Sequence, residues 1–362
     1  MPAPQPRPAI SAMARYQPNL NPPARGRIIR LSANEGALGP SPTAVRAMEE
    51  VTTRLHHYPE EDPSALADAI GAELGLDAQR MVFGCGSDEL ILALCLAYLS
   101  PGDEAIHTEY GFIMYPVSIR VAGGEPVVAP DRGYRVDVDA ILERVTPRTR
   151  MVFLANPNNP TGSYIGRGEL ERLHRGLPED VLLVIDAAYA EYVSRNDYAS
   201  GADLVEKSEN VVMLRTFSKI YAMAGLRLGW AYAPQVAANA MHVVKQPFGA
   251  NRAAVAAGIA AVNDHEFRRR SVTHNETWQP WTAQRLAGLG LTVLPSVTNF
   301  LMARFPDEPG HTAAEAGAWL EQRGILVRGM AGYGAPEFLR MSIGTETEMR
   351  TVVESISEFL SA

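Results

Sequence analysis

A lysine, two hydroxyl side chains and an arginine lie close together near position 219. Lys219 follows Thr216 and Ser218, and Arg227 comes eight residues after the lysine. A lysine amine forms Schiff bases with aldehydes, and hydroxyl and guanidinium groups bind phosphate. The grouping therefore predicts a phosphorylated aldehyde cofactor that is covalently bound to Lys219.

Short apolar runs, divided by amphipathic segments, indicate the elements that must position this lysine. The runs do not alternate between apolar and polar residues, which is typical of strands buried on both faces of a parallel sheet. The six runs lie at 81–83, 104–106, 126–128, 151–154, 181–185 and 211–214. Helical periodicity dominates after about residue 255. The pattern predicts an α/β fold with a mostly parallel sheet, followed by a smaller α+β domain.

The same patterns predict how the chain divides. Its 362 residues exceed the length at which a single hydrophobic core keeps growing. We expect an N-terminal arm at 1–25, because that stretch is rich in proline and lacks periodicity. A large cofactor-binding domain is predicted at 45–255. A small domain is predicted from 26–44 together with 256–362.

Polar groups follow four of the predicted strands at the point where each strand ends. In open parallel sheets, ligands bind at the carboxyl ends of the strands, so we expect these groups to face one site. The candidates after the four strands are Gly86, Ser87 and Asp88, then Asn159, then Asp186 and Tyr189, and finally Thr216, Ser218 and Lys219.

The segment from Gly86 to Asp88 is predicted to open a helix. Amide groups at a helix N-terminus bind phosphate well, and the nearby side chains of Thr216, Ser218 and Arg227 would complete such a site. An ordinary helix cap with an acidic first turn would give the same local pattern.

The remaining groups match the ring of a pyridoxal cofactor. Asp186 would pair with a protonated pyridine nitrogen and so keep the ring an electron sink. Asn159 and Tyr189 would reach the phenolic oxygen, and Tyr110, after another strand, would stack on the ring face. Each residue alone has a simpler explanation as a helix cap, a loop residue or a packing residue. Together with Lys219, they predict pyridoxal 5′-phosphate as the cofactor.

Composition and charge narrow the classes of partner. The net charge of −8 argues against nucleic acid or an anionic membrane as the main partner. The histidines show no metal-ligand spacing, so no metal site is expected. Cys85 and Cys95 make no disulfide framework and favour a reducing compartment. We therefore expect a cytoplasmic protein that acts on small molecules.

Short motifs are spread along nearly the whole chain, from about Leu31 to Ile343. They are Leu31-Ser32-Ala33-Asn34-Glu35 with Leu38-Gly39-Pro40-Ser41, His57-Tyr58-Pro59, Gly86-Ser87-Asp88-Glu89, Asn158-Asn159-Pro160-Thr161-Gly162, Asp186-Ala187-Ala188-Tyr189, Thr216-Phe217-Ser218-Lys219, Gly225-Leu226-Arg227-Leu228-Gly229 and Leu339-Arg340-Met341-Ser342-Ile343-Gly344. With these motifs the chain resembles the fold-type I pyridoxal phosphate aminotransferases, and more narrowly the histidinol-phosphate aminotransferase family. The resemblance implies a mostly parallel seven-stranded sheet in the large domain.

The resemblance also implies a partner and substrates. It implies a homodimer in which Tyr58 reaches the phosphate of the neighbour's cofactor. Arg340 would pair with the α-carboxylate of glutamate, Arg328 would bind the phosphate of histidinol phosphate, and Asn34 would join them in substrate binding. The implied reaction converts histidinol phosphate and 2-oxoglutarate into imidazole-acetol phosphate and glutamate, in histidine biosynthesis.

In such an enzyme, the freed Lys219 would move a proton at the substrate α-carbon as general base and acid, with Asp186 and Tyr189 as the other catalytic groups.

Departures from the family pattern leave the identity of the amino donor open. Gly36 stands where asparagine is common, Ala187 where glutamate is frequent, and 329–334 carries little charge. A less polar pocket would favour phenylalanine or tyrosine, so an aromatic amino acid aminotransferase is the first alternative. A decarboxylase of a phosphorylated amino acid and a cofactor-sensing module are the others.

Overall fold

The computed structural model describes residues 3–13, 28–60 and 63–362. Its strands are β1 (Ile29–Arg30), β2 (Met81–Cys85), β3 (Glu104–Thr108), β4 (Glu125–Ala129), β5 (Thr149–Ala155), β6 (Leu182–Asp186), β7 (Val211–Thr216), β8 (Leu228–Tyr232), β9 (Thr292–Val293), β10 (Phe300–Arg304), β11 (Ile325–Leu326), β12 (Arg328–Gly329) and β13 (Phe338–Ser342).

The α-helices are α1 (Pro8–Ser11), α2 (Pro42–Glu50), α3 (Ser64–Leu74), α4 (Ser87–Tyr98), α5 (Met114–Ala122), α6 (Val138–Leu142), α7 (Arg167–Gly176), α8 (Ala202–Lys207), α9 (Gln235–Val244), α10 (Arg252–Asn263), α11 (His265–Gly288), α12 (Ala313–Gln322) and α13 (Glu346–Ser361). Among the described residues, no helix is both long enough and apolar enough to cross a membrane.

Seven strands form the central sheet, in the order β2-β8-β7-β6-β5-β3-β4. All neighbouring pairs are parallel except the two that β8 makes with β2 and β7. The predicted α/β fold with a mostly parallel seven-stranded sheet is therefore confirmed. Each of the six apolar runs corresponds to one strand of this sheet. The seventh strand, β8, contains Gly229 and two aromatic residues, so it does not form an aliphatic run.

Both faces of the central sheet are buried, which explains why the apolar runs are unbroken. On β6, Leu183 and Ile185 pack into one hydrophobic cluster. Leu182 and Val184 pack into a second cluster on the opposite face. Because side chains alternate between the two faces of a strand, every position of β6 is apolar until Asp186. The strand then ends in a carboxylate at the sheet edge where ligands bind.

The C-terminal part of the chain forms the smaller α+β unit. Its antiparallel sheet has the order β12-β13-β10-β9, and β1 pairs in parallel with β11. Ile29 and Leu31 share a hydrophobic cluster with helices α12 and α13, so this N-terminal segment packs with the C-terminal part. The predicted boundary at 255 falls inside α10, whose Ala254, Ala257 and Ala261 pack into the core of the central sheet.

Most of the predicted arm at 1–25 lies outside the described residues. In its described portion, the short helix α1 lies against α5. The Arg7 Nη2 donates to the carbonyl of Val121 at 2.6 Å. This contact ties the beginning of the described chain to the helix that follows β3.

Candidate active site

The carboxyl ends of β5, β6 and β7 open onto a cavity of about 510 Å³, which the small antiparallel sheet also borders. The predicted site residues that line it are Asn34, Ser87, Asp88, Asn159, Asp186, Tyr189, Thr216, Ser218, Lys219, Arg227, Arg328 and Arg340. The structure therefore gathers groups from both ends of the chain into one place.

The Lys219 amine lies in this cavity, over the ring of Tyr189. Its Nζ donates to the carbonyl of Ala33 at 3.2 Å and lies 5.8 Å from the centroid of the Tyr189 ring. Burial, together with the positive charge of Arg340, lowers the pKa of Lys219 to about 8. A useful fraction of the amine is therefore neutral near neutral pH, and the neutral amine is the form that attacks an aldehyde.

Asp186 ends β6 with both carboxylate oxygens held by donors. The Tyr115 hydroxyl donates to Oδ2 at 2.9 Å, and the Ala188 backbone amide donates to Oδ1 at 3.2 Å. Burial raises the pKa of Asp186 to about 6, and these two hydrogen bonds oppose the rise. The carboxylate is still mostly ionised at neutral pH and can hold a protonated ring nitrogen. The sequence analysis did not find Tyr115, which is fully buried on α5.

Asn159 and Tyr189, the two groups expected at a phenolic oxygen, are each held by a neighbour. The Arg340 Nη1 donates to Asn159 Oδ1, and its Nη2 donates to the carbonyl of Ser32 at 2.8 Å. The Asn34 Nδ2 donates to the Tyr189 hydroxyl at 2.8 Å. All of these residues are buried. Hydrogen bonds within the protein therefore hold these lining groups in place.

Two glycines place the N-terminus of α4 against Arg227. A Cβ on Gly229 would lie 2.3 Å from the Ser87 amide nitrogen, and a Cβ on Gly86 would lie 2.4 Å from Arg227 Nη2. Larger residues at either position would push these groups apart. Helix amides that face a guanidinium fit a phosphate group, as predicted for this loop.

The other predicted phosphate ligands border this cradle. The Ser218 amide donates to Thr216 Oγ1 at 3.1 Å, which shapes the turn after β7. The Arg227 Nη1 lies 3.5 Å from Ser218 Oγ, and its Nη2 pairs with Asp88 at 3.2 Å. The guanidinium is thus oriented by the turn on one side and by helix α4 on the other.

Tyr110 is not among the residues that line the cavity, whereas Phe112 is. The Tyr110 ring packs on Tyr134, with 5.1 Å between ring centroids. Phe112 meets the ring of Tyr115 edge-on at 5.7 Å. The structure therefore does not bring Tyr110 to the cavity, so its stacking on the cofactor ring stays a prediction, and Phe112 becomes a second candidate. The sequence did contain a signal for Phe112, because this residue lies three positions before Tyr115, the tyrosine that holds Asp186.

Arg328 and Arg340 lie opposite each other on the antiparallel strands β12 and β13. Directly opposed residues of an antiparallel pair are near neighbours on one face of a sheet, and both line the cavity. Two guanidinium groups side by side can bind carboxylate or phosphate through several charge-assisted hydrogen bonds.

Tyr58 does not line the cavity of its own chain. It is 78% exposed, and its ring stacks on Phe248 with 4.7 Å between centroids. Its carbonyl accepts a hydrogen bond from Arg252 Nη2 at 2.7 Å. The expected reach of Tyr58 into a neighbouring subunit stays a prediction.

The residues that depart from the family pattern at 36 and 187 do not line the cavity. A Cβ on Gly36 would lie 2.6 Å from the Ala222 Cβ and 3.0 Å from the Lys219 carbonyl, so glycine lets this segment pack against the lysine turn. Ala187 is buried in the core of the central sheet. Neither departure makes the pocket less polar.

Comparison with known proteins gives the family. A model of the family described as aminotransferase class I and II matches residues 26–356. The chain belongs to this family. Histidinol-phosphate aminotransferases of Paramagnetospirillum magneticum and Rhodopseudomonas palustris are 49% and 46% identical to it, each over the full length of both chains. The crystal structure of histidinol-phosphate aminotransferase from Sinorhizobium meliloti in complex with pyridoxal-5′-phosphate superposes with a TM-score of 0.88 at 28% identity, covering 98% of this chain and 97% of that chain.

The predicted enzyme class and cofactor are thereby confirmed, because class I and II aminotransferases depend on pyridoxal 5′-phosphate. The cavity of this aminotransferase fits that cofactor. It offers the Lys219 amine for an aldehyde, the Asp186 carboxylate for a ring nitrogen, and a cradle that a Cβ at Gly86 or Gly229 would fill.

Proposed function

We propose that this aminotransferase transfers the amino group of histidinol phosphate to 2-oxoglutarate, giving imidazole-acetol phosphate and glutamate in histidine biosynthesis. The observation that carries the proposal is the pair formed by Arg328 and Arg340, which lines the same cavity as the Lys219 amine. The names of the relatives that are 46% and 49% identical supply the choice of donor.

The two arginines have different surroundings, which suits two different anions. Arg340 is held by Asn159 and by the Ser32 carbonyl, so its planar fork is oriented to take a carboxylate in a bidentate pair. Histidinol phosphate has no α-carboxylate, so its phosphate would use the same anion site. Arg328, directly across the strand pair from Arg340, supplies that site with a second cation.

When bound, the cofactor supplies an electron sink for the charge left when the substrate α-carbon loses its proton. Lys219 carries this proton on Nζ, first as base and then as acid, and its lowered pKa keeps both forms accessible. Asp186, whose pKa of about 6 leaves it mostly ionised at neutral pH, would hold the protonated ring nitrogen. Asn159 and Tyr189 would orient the ring through its phenolic oxygen.

A donor panel on purified protein tests this assignment. Histidinol phosphate and phenylalanine are each assayed with 2-oxoglutarate, using wild type, Arg328→Ala and the surface control Arg269→Ala. We expect Arg328→Ala to lower kcat/KM about 100-fold for histidinol phosphate and no more than about threefold for phenylalanine, because only the phosphate loses charge-assisted hydrogen bonds.

Equal losses for both donors would contradict the role of Arg328. A wild type that prefers phenylalanine would support the aromatic amino acid aminotransferase instead. Release of carbon dioxide without consumption of 2-oxoglutarate would support the decarboxylase.

We also propose that the enzyme is a homodimer in which Tyr58 contributes to the neighbour's site. Its support is the exposed Tyr58, held by Phe248 and placed away from its own cavity. Co-expression of Tyr58→Ala and Lys219→Ala chains tests it. Each chain alone should be nearly inactive, whereas mixed dimers contain one intact site and should regain activity. No recovery in a mixture shown to contain heterodimers would rule out the shared site.

The cytoplasm is the compartment that we propose for this reaction. Cys85 and Cys95 are both free thiols, which suits a reducing compartment. Activity found only in an exported fraction of the cells would contradict this.

A further inference from the structure

Consecutive residues of the segment 32–35 contact catalytic groups of the site. The Ala33 carbonyl accepts a hydrogen bond from Lys219 Nζ, and the Asn34 Nδ2 donates to the Tyr189 hydroxyl at 2.8 Å. The first contact uses a backbone carbonyl, which any residue could provide. The second uses a side chain, so the residue type at position 34 determines what Tyr189 receives.

The backbone holds Asn34 rigidly in this position. Its φ of 57° lies in the left-handed region, which asparagine adopts more readily than most residues. Its amide donates to Ser342 Oγ at 2.8 Å, and its carbonyl accepts from Asn299 Nδ2 at 3.1 Å. The residue is only 1% exposed. The fold therefore holds the side chain of Asn34 against Tyr189.

The direction of this hydrogen bond has a consequence for Tyr189. A phenol hydroxyl donates one hydrogen bond and accepts two, whereas an amide NH₂ group only donates. Since Asn34 occupies an acceptor position, the Tyr189 proton is left to point elsewhere. Asn159 is set in a similar way, because its Oδ1 accepts from Arg340 and its own NH₂ group is left for the cavity.

We propose that Asn34 is a positioning residue that acts through Tyr189, turning the Tyr189 O–H toward the phenolic oxygen of the bound cofactor. This rests on the proposed function, and it gives Asn34 a task other than direct substrate binding. The phenolic oxygen then receives two oriented donors, one from Tyr189 and one from Asn159.

The charges around Tyr189 keep its proton in place. Burial raises the pKa of Tyr189 above its usual value, while the Arg340 cation and the Asn34 hydrogen bond work in the opposite direction. Asp186 and Tyr333 also face it, and both raise the pKa. The hydroxyl is therefore protonated at any working pH, so its orientation and not its ionisation is the variable.

The experiment compares Asn34→Gly and Asn34→Asp with wild-type holoenzyme. Glycine removes the side-chain amide and tolerates the left-handed backbone. Aspartate keeps the shape of the side chain, but its ionised carboxylate accepts hydrogen bonds and cannot donate them. The readout is the pKa of the Lys219-bound cofactor chromophore, followed by absorbance against pH, alongside kcat. We expect Asn34→Gly to raise that pKa by about one unit and to lower kcat about tenfold, since the anionic oxygen loses an oriented donor. Asn34→Asp should raise the chromophore pKa by at least as much.

The Tyr189→Phe background provides the control. There, Asn34→Gly should cause no further shift of the chromophore pKa, because the two residues act as one unit. An unchanged pKa in folded Asn34→Gly, a wild-type value in Asn34→Asp, or an equal shift in the Tyr189→Phe background would overturn the proposal. A wild type with no chromophore on Lys219 would instead overturn the proposed function itself.

Discussion

The two walls of the cavity are assembled in different ways. The cofactor wall, defined by Asp186, Thr216 and Lys219, comes from the ends of β6 and β7, which are neighbours in one parallel sheet. The substrate wall, defined by Arg328 and Arg340, comes from the small antiparallel sheet. The first is fixed by the topology of one sheet, whereas the second depends on how two parts of the chain pack.

The contacts that orient each wall show the same difference. Asp186 takes one of its donors from Ala188, two residues along the chain. Arg340 is oriented by Ser32, 308 residues away, and by Asn159, 181 residues away. Changes to the cofactor wall should therefore affect every substrate alike. Changes to the substrate wall should affect some substrates more than others, and a change at Arg340 should also alter the pKa of Lys219.

The largest expected effect comes from the cofactor wall. Lys219→Ala should lower kcat about 10⁴-fold for every donor, because both the covalent link and the proton carrier are lost. The chain has three lysines, so borohydride reduction of wild-type holoenzyme followed by peptide mapping can distinguish Lys219 from Lys207 and Lys245. Lys207→Ala, at the exposed end of α8, is the matched control and should retain both label and activity. A label on Lys207 or Lys245 would contradict the assignment of Lys219 as the lysine that binds the cofactor.

The sequence predicted the cofactor wall well because its residues follow buried strands. An apolar run that ends in Asp186, or in Thr216 with Lys219 beyond it, places the polar group at the ligand-binding edge of a parallel sheet. The structure does not bring Tyr110 to the cavity, because the turn after β3 sets which aromatic side chain faces it, and a turn leaves no periodic signal. Tyr115 was missed because a tyrosine in an amphipathic helix has the pattern of ordinary packing.

The substrate wall was accessible only through family resemblance. No periodicity or spacing brings Asn34 to Tyr189, or Arg340 to Ser32, because those contacts arise from the docking of the N-terminal segment beside β13. Their directions, which decide what each side chain offers to a ligand, are visible only in three dimensions.

The next expected effect is a pH dependence that links the two walls. The neutral Lys219 amine is the reactive form, and its pKa is lowered to about 8 by burial and then by Arg340. The rate at which cofactor-free protein captures pyridoxal 5′-phosphate should rise about tenfold per pH unit below 8 and level off above it. Stopped-flow absorbance measures this, with capture by a free amine at each pH as reference.

The link is tested by Arg340→Gln, which removes a positive charge near the amine. The levelling-off should then move to higher pH, because the ammonium form is no longer disfavoured by that charge. Asp88, Glu35 and Arg227 also act on this amine and are unchanged in the variant. An identical pH profile in the variant would show that the two walls are electrostatically independent.

The smallest effect decides which aromatic ring faces the cofactor. Phe112→Leu and Tyr110→Leu make the same kind of change two residues apart, so they form a matched pair. Phe112 lines the cavity and should lose its stacking contact, weakening cofactor affinity about tenfold, as aromatic pairs contribute roughly 0.5–1.5 kcal/mol beyond buried area. Tyr110 packs on Tyr134 instead, so its replacement should change affinity less than about twofold. Absorbance titration of the cofactor-free proteins measures both. If Tyr110→Leu bound the cofactor more weakly than Phe112→Leu, the turn after β3 would have to present Tyr110 to the ring. The residues of the cofactor wall could then not be predicted from the ends of the strands alone.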